Sequence, residues 1–211
     1  MSDMTVEIWM LYVATVLALM STPGPSQLLM LSNSASYGFR RSLATAAGDL
    51  TANGLQMIAA GFGLAALIAT SGYALSAIKW FGVVYLIWLG IRMIRKVDPN
   101  KTGQKLDAAP ITIKALWLQG FVTSATNPKA VVFFAALFPQ FIQPEYAFGL
   151  QFLILSATYI ILDGIFLSAY GAGASWIAQK FKGGARAWIE RIGGGFLIGA
   201  AILLGLKTLN E

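Results

Sequence analysis

Long apolar runs recur along the whole of this sequence, and each is near or above the length that crosses a membrane. A helix needs about 20 apolar residues to span a hydrocarbon core of about 30 Å. With 57% hydrophobic and only 11% charged residues, the 211-residue chain has too little polar surface for a water-soluble globule. The pattern predicts an all-α integral membrane protein with six transmembrane helices and no soluble domain. The predicted spans are residues 6–33, 43–70, 73–94, 112–141, 146–173 and 188–208.

Proline interrupts two of these runs, at corresponding places in the two halves of the chain. The first run contains Thr22-Pro23-Gly24-Pro25, and the fourth contains Asn127-Pro128-Lys129. Each is followed by one acidic residue in apolar sequence, Asp49 in the first half and Asp163 in the second. Matching proline breaks and acidic residues half a chain apart indicate a duplicated membrane transporter.

The basic residues predict the orientation of the helices. Twelve of the 15 Lys and Arg residues fall in or beside the odd-numbered loops, which the positive-inside rule assigns to the cytoplasm, so both termini are predicted outside. A polar linker, about 95–111, divides the single membrane domain into repeat 1, about 1–94, and repeat 2, about 112–211. Because each repeat has an odd number of helices, the second enters the membrane from the opposite side. We predict two inverted three-helix repeats with proline-broken helices 1 and 4, an arrangement that places a transport site near the midplane.

The first break combines two prolines around a glycine. Pro23 and Pro25 each remove a backbone donor and clash with the preceding turn, and Gly24 has no side chain to restrict its backbone. Broken backbone at membrane depth is tolerated only where it is buried in protein or lines a wet cavity. All three are therefore candidate substrate-binding residues. A structural kink is the alternative, because proline is common in transmembrane helices.

The second break offers groups that suit an anion. Asn127 is a helix-capping residue type, Pro128 suits a first helical turn, and Lys129 adds a positive charge in apolar sequence. The expected guest is a substrate carboxylate, which makes these three candidate substrate-binding residues. Alternatively, Lys129 pairs with an aspartate or extends along its flexible stem to the interface. Further polar candidates for the pocket are Asn53, Thr51, Gln56, Thr123, Thr126 and Gln140.

Asp49 and Asp163 are the only acidic residues well inside predicted spans. A carboxylate in that position is costly unless it is paired, hydrated or protonated, and such residues usually mark a path for substrate or ions. We therefore expect both to be ion-coupling residues that accept a proton. The alternative is a structural ion pair with Lys129.

The chain has no cysteine and no histidine. This excludes disulfides, thiolate or imidazole metal ligands and histidine proton relays, and it disfavours an embedded redox enzyme. We expect no enzyme activity, no metal and no cofactor. The net charge of +6 is assigned to the basic loops rather than to nucleic-acid binding. Gly195 and Gly199 have a GxxxG spacing that favours packing within the chain, with a homodimer as the alternative.

Four blocks of this sequence resemble the LysE/RhtB superfamily of bacterial amino-acid exporters. They are Thr22-Pro23-Gly24-Pro25; Gly38-Phe39-Arg40-Arg41 leading to Gly48-Asp49; Lys79-Trp80-Phe81-Gly82 followed by Tyr85-Leu86 and Leu89-Gly90; and Asn127-Pro128-Lys129 followed by Phe133-Phe134 and Pro139-Gln140-Phe141. The resemblance implies a secondary exporter of small zwitterionic amino acids in the lipid of the bacterial cytoplasmic (inner) membrane, driven by the proton-motive force. Similarity to the RhtB-type branch favours a neutral amino acid such as homoserine or threonine.

Other transport functions remain as alternatives to amino-acid export. One is a metal-ion or other small-solute exporter of the same superfamily, and the other is a passive channel. Soft metal ions are disfavoured because only Asp, Asn and backbone oxygens remain as ligands. Concentrative transport distinguishes an exporter from a channel.

Overall fold

The structure, a computed structural model, describes the chain in long stretches and at scattered positions. They are residues 5–21, 24–63, 111–143 and 145–180, with scattered positions within 80–95 and 191–202. Every regular element in these residues is helical, which confirms the prediction of an all-α fold. The six-span inverted arrangement and the repeat boundaries stay predictions, because the linker and most of the third and sixth spans lie outside the described residues.

The first predicted span is two helices, α1 (Val6–Ser21) and α2 (Pro25–Tyr37), bent by 56°. Gly24 precedes α2 in extended backbone, with φ −136°. Pro25 follows as the first helical residue, where the missing proline N–H has no intrahelical partner to lose. The predicted break is therefore confirmed at Gly24 and Pro25, whereas Pro23 lies outside the described residues.

The next helix, α3 (Phe39–Gly61), follows α2 after the single residue Gly38. Gly38 has φ +82°, a conformation that side-chain-bearing residues rarely adopt, so the chain turns into α3 without a loop. The helix starts four residues before the span predicted at 43–70, and residues 64–70 of that span lie outside the described residues. Its basic first turn is accommodated because the Arg41 guanidinium donates to the Ile111 carbonyl.

The predicted fourth span is also divided. The Asn127 side chain accepts a hydrogen bond from the Lys129 amide at 3.1 Å and so caps the helix after the break. The break predicted at this proline motif is confirmed. Beyond it the helix is irregular, and short π-helices of this kind are frequent at functional sites. The segments are α4 (Ile113–Ala125), α5 (Pro128–Val132), a π-helix (Phe133–Leu137) and a 3-10 helix (Phe138–Phe141).

The last long helix, α6 (Phe148–Lys180), is apolar along most of its length. Residues Phe148–Ile177 have a mean hydropathy of 1.9, and within the described residues this helix alone is long and apolar enough to cross a membrane. The bent pair of α1 and α2 passes the same test when taken together. Only 22% of the α6 window is buried in the protein, unlike the core helix of a soluble domain. Most of its apolar surface therefore faces outward.

Packing between the helices places α3 along α4 and α2 against α6. Beside these contacts lies an aromatic cluster that fills the space between α1, the start of α6 and the irregular helix after α5. Its rings contact one another at centroid distances from 4.8 to 6.2 Å. The aromatic cluster consists of Tyr12, Phe133, Phe134, Phe138, Phe141, Phe152 and Tyr159.

Candidate functional site

A cavity lies where the two helix breaks meet, between the acids of the two halves. It encloses about 310 Å³ of empty space, its open mouth included. Its wall is mostly polar, with an apolar part shared with the aromatic cluster. The polar lining is Ser26, Gln27, Asp49, Asn53, Ser124, Asn127, Lys129 and Asp163, and the apolar lining is Leu19, Met20, Ala130 and Tyr159.

One amide joins the two acids. Nδ2 of Asn53 donates to Oδ2 of Asp49 at 2.9 Å and to Oδ2 of Asp163 at 2.8 Å. The same side chain accepts from the Ser124 hydroxyl at 2.8 Å through Oδ1. All four residues are buried, with at most 3% of their surface exposed. The two acids predicted from separate halves of the sequence therefore form one site, and helices α3, α4 and α6 each contribute to it.

The second oxygen of Asp49 has a different environment. Oδ1 is buried and has no hydrogen-bond partner among the described residues, although Ser26 and Ser124 both lie beside the carboxyl group. A buried carboxylate oxygen without a donor is unstable by itself. Asp49 itself lines the cavity, and Oδ1 is the oxygen for which the described residues supply no donor.

Positive charge comes to the cavity from the second break. Lys129 lines the wall and interacts electrostatically with Asp163 across it. Lys129 also approaches the first break, since a Cβ placed on Gly24 would lie 3.9 Å from its Nζ. The cavity thus holds a cation and two acids at one depth, which is the complement of a zwitterion.

The first break is held by its own side chains. The Gly24 amide donates to Oε1 of Gln27 at 3.0 Å, so the side chain that follows the break caps it. A Cβ on Gly24 would come within 3.3 Å of that same oxygen. The lack of a side chain at Gly24 therefore keeps the space between the two breaks open.

The predicted site residues fall into two groups. Those that line the cavity are Asn53, Asp49, Asp163, Asn127 and Lys129. Pro25 is buried at the start of α2 but does not line the cavity, and Pro128 begins α5. The remaining polar candidates from the sequence are not part of the wall, and Thr51, for example, is exposed and donates to the Ala47 carbonyl of its own helix.

Sequence reasoning missed several wall residues. Ser26 and Gln27 directly follow the first proline motif, and Ser124 lies three residues before Asn127. Tyr159 precedes Asp163 by four residues, which puts both on one face of α6. Adjacency to the breaks and helical spacing from the acids are the signals that identify all four.

A second buried polar group lies beyond the cavity, between α2, α3 and α4. Nδ2 of Asn33 donates to the Thr45 hydroxyl at 2.9 Å and to Oε1 of Gln119 at 3.1 Å. This Asn33 cluster resembles the acid site in having one asparagine that bridges helices, but it contains no acid. Among the described residues, no group of three His, Cys, Asp or Glu side chains could hold a metal ion.

Comparison with known proteins assigns this architecture to a transporter family. Residues 17–208 match the family described as LysE type translocator. The chain is 36% identical to the homoserine/homoserine lactone efflux protein of Salmonella typhimurium, over 85% of this chain and 86% of that protein. It is 35% identical to an uncharacterized membrane protein of Vibrio cholerae, over 85% and 86% of the two chains. It is also 29% identical to the leucine efflux protein of Klebsiella pneumoniae, over 82% of each.

No solved structure matches the chain. The sequence matches confirm the resemblance read from the four motif blocks. They also confirm two broader predictions, that the chain is a multi-pass membrane protein and that it is not an enzyme.

Proposed function

This chain belongs to the family of LysE type translocators, and we propose that it exports neutral amino acids from the cell in exchange for protons. One observation supports this function above the others: Asp49 and Asp163 share the Asn53 amide in a cavity that also contains Lys129. An amino acid needs an anionic partner for its ammonium group and a cationic partner for its carboxylate. The cavity provides both within one small volume.

The substrate's two charged ends take opposite sides of the cavity. The ammonium group binds the acids, with Oδ1 of Asp49 as the unpartnered acceptor. The carboxylate binds Lys129, which a substrate carboxylate can share with Asp163. The side chain then faces the apolar wall of Leu19, Met20 and Ala130, which suits a neutral substrate. The names of the relatives, which refer to homoserine, homoserine lactone and leucine, agree with this class.

Protons couple to the substrate through the acid pair. Two carboxylates at one site repel each other, and a proton on the pair relieves the repulsion. A proton and an ammonium group compete for the same oxygen, so one leaves as the other binds. Alternating access to the cavity converts this competition into exchange, with the amino acid moving out and the proton moving in.

The orientation follows from the basic loops, with both termini outside the cytoplasmic membrane. The aromatic cluster then lies on the outer side of the cavity, and the Asn33 cluster on the cytoplasmic side. Single cysteines at Glu145→Cys and Gly103→Cys in this cysteine-free chain test the arrangement. A membrane-impermeant thiol reagent added to intact cells should label only the first, and labelling of the second alone would reverse the orientation.

Transport is tested in proteoliposomes loaded with labelled homoserine, threonine, leucine or lysine under an imposed pH gradient. We expect acid outside to accelerate efflux of the neutral substrates, and Asp163→Asn and Asp49→Asn to lower that efflux about tenfold or more. Glu145→Gln, an exposed acid away from the cavity, is the matched control. If both cavity variants export at the wild-type rate, the proposed coupling is wrong. Efflux that stops once the inside and outside substrate concentrations are equal would indicate a passive channel instead.

A further inference from the structure

The hydrogen-bonding capacity of Asn53 is committed to protein groups. Both hydrogens of Nδ2 are given to carboxylate oxygens, and Oδ1 accepts from Ser124. The reverse orientation of the amide would put its oxygen against two carboxylates and cause repulsion. The orientation with Nδ2 facing the carboxylates is therefore the favourable one. With 2% of its surface exposed, Asn53 has no free donor to offer a substrate. The residue predicted from the sequence to bind substrate is therefore engaged elsewhere.

The two bonds from Nδ2 determine which carboxylate oxygens remain available. An N–H donor needs a lone pair on its acceptor, so Oδ2 of Asp49 and Oδ2 of Asp163 are both held as acceptors. A proton on either Oδ2 would weaken the hydrogen bond that this oxygen accepts from Nδ2, so the oxygens that Nδ2 does not engage are the favoured positions for a proton. On Asp49 that other oxygen is Oδ1, which is buried and without a partner among the described residues. The Asn53 amide thus leaves Oδ1 of Asp49 for a proton or an ammonium group.

Other titratable groups face the pair from the neighbouring helices. Lys129 on α5 interacts with Asp163, and Tyr159 on α6 lies one turn before it. Tyr12 on α1 belongs to the adjoining aromatic cluster. Asn53 itself donates to both acids from a single nitrogen.

We propose that Asn53 is a positioning residue that holds Asp49 and Asp163 as one proton-sharing pair and reserves Oδ1 of Asp49 for the proton or the substrate ammonium group. This inference rests on the proposed exchange function. In the outward-facing state, Oδ1 takes a proton from outside and the ammonium group leaves. In the inward-facing state, the O–H bond breaks, the proton enters the cytoplasm, and the ammonium group of the next substrate takes its place. Each cycle moves one proton in and one amino acid out.

Two substitutions remove this function of Asn53 in different ways. Asn53→Ala removes every hydrogen bond, whereas Asn53→Asp keeps the shape but removes the two N–H donors. In proteoliposomes, exchange of labelled for unlabelled leucine needs no net movement of protons, so we expect both variants to lose less of this exchange than of efflux driven by a pH gradient. We expect efflux driven by a pH gradient to fall about tenfold, the loss expected for a hydrogen bond to a charged group. Its dependence on pH should also flatten between about pH 5 and about pH 8.

The matched control is Asn33→Ala. Asn33 is also a buried asparagine that bridges helices through two donated hydrogen bonds, but its partners are neutral. We expect this variant to lose stability while keeping the wild-type pH profile. A pH profile unchanged in both Asn53 variants would overturn the proposal. So would an equal loss of leucine exchange and of pH-driven efflux in both, because Asn53 would then act on the substrate or on the fold rather than on proton coupling.

Infrared spectroscopy of the purified protein tests the positioning role of Asn53 separately from the proposed proton exchange. A protonated carboxyl group gives a C=O stretching band. If this band is lost in Asp49→Asn, it belongs to the pair of Asp49 and Asp163. We expect Asn53→Asp and Asn53→Ala to shift the pH midpoint of that band, whether or not the variants transport. An unshifted midpoint overturns the positioning role. If the midpoint shifts in the Asn53 variants but efflux by the wild-type protein does not respond to a pH gradient, the positioning role is supported and proton exchange is contradicted.

Discussion

Gly48 on α3 and Gly120 on α4 each lie against the backbone of the other helix. A Cβ on Gly48 would stand 1.9 Å from the Trp117 carbonyl oxygen, and one on Gly120 would stand 2.0 Å from the Thr45 carbonyl oxygen. Neither contact can accept a side chain unless the helices separate. Gly48 directly precedes Asp49, so this close approach also sets the distance between α3 and the Ser124 region of α4.

Alanine at either glycine should therefore destabilise the protein. We expect Gly48→Ala and Gly120→Ala to cost about 1–3 kcal/mol or more, because the overlap is with backbone and cannot be relieved by a rotamer change. Thermal unfolding of the purified protein in detergent measures the effect. The control is Gly54→Ala on α3, where a Cβ meets nothing within 4 Å. Equal melting temperatures for Gly48→Ala and Gly54→Ala would contradict the close packing.

The charge of Lys129 should matter only for substrates that carry a carboxylate. Homoserine has one, whereas homoserine lactone has lost it in the ring. We expect Lys129→Gln to raise KM about tenfold for homoserine and less than about twofold for its lactone, in proteoliposome efflux. Lys114→Gln, an exposed lysine at the start of α4, controls for the change in net charge. An equal loss for both substrates would show that Lys129 does not bind the carboxylate.

A side chain at Gly24 should close the space between the two breaks. Alanine needs only a small shift of the Gln27 side chain, whose oxygen would lie 3.3 Å from the new Cβ, and the backbone there is ordinary extended chain. Leucine would extend toward Nζ of Lys129 and occupy the cavity. We expect Gly24→Ala to retain leucine efflux to within about threefold and Gly24→Leu to reduce it about tenfold or more at normal abundance. Full efflux by Gly24→Leu would exclude this space from the substrate path.

The hydroxyl group of Tyr12 should contribute nothing to stability. This hydroxyl is buried without a hydrogen-bond partner among the described residues, and the Tyr12 ring packs against Phe133, Phe138 and Phe141. Removing an unsatisfied polar group is neutral or stabilising, so we expect Tyr12→Phe to melt at or above the wild-type temperature. Tyr12→Ala should cost about 3–5 kcal/mol, because it leaves a cavity. A Tyr12→Phe variant that melts well below wild type would reveal a partner for the hydroxyl.

Exchange of one proton for one neutral zwitterion should respond to membrane potential. Each cycle carries one positive charge inward, so an inside-negative potential of about 100 mV adds about 2.3 kcal/mol to the driving force. We expect a valinomycin-clamped potassium gradient to drive leucine efflux from proteoliposomes without any pH gradient. If the rate of efflux does not change with membrane potential, the transport cycle moves no net charge, which would contradict exchange of one proton for one zwitterion.

Much of the site could be predicted from the sequence because proline and buried charge are conspicuous in apolar runs. Pro25 and Asn127 identified the ends of broken helices, and Asp49 and Asp163 identified the acids. The contact between those acids could not be predicted, since it depends on how α3 and α6 pack. No local pattern distinguishes Asn53, which joins them, from the other polar residues of the spans.

The start of α3 was predicted less well, for a physical reason. Hydropathy locates apolar sequence, but α3 begins at Phe39 because Gly38 turns the chain and because Arg41 finds a carbonyl partner at its first turn. Neither effect leaves a hydropathy signal. The wall residues Ser26 and Ser124 were missed for a similar reason, because small polar residues are common in membrane helices.

The aromatic cluster has a consequence for the cell that contains this protein. Met20, Ala130 and Tyr159 belong both to the cavity wall and to the core around these rings. Rings packed against one another offer almost no groups that could hydrogen-bond a chain of water molecules, and proton conduction needs such a chain. In the proton exchange proposed above, protons would then reach the acids by alternating access rather than by leaking past these rings, and idle copies of the protein would not dissipate the gradient.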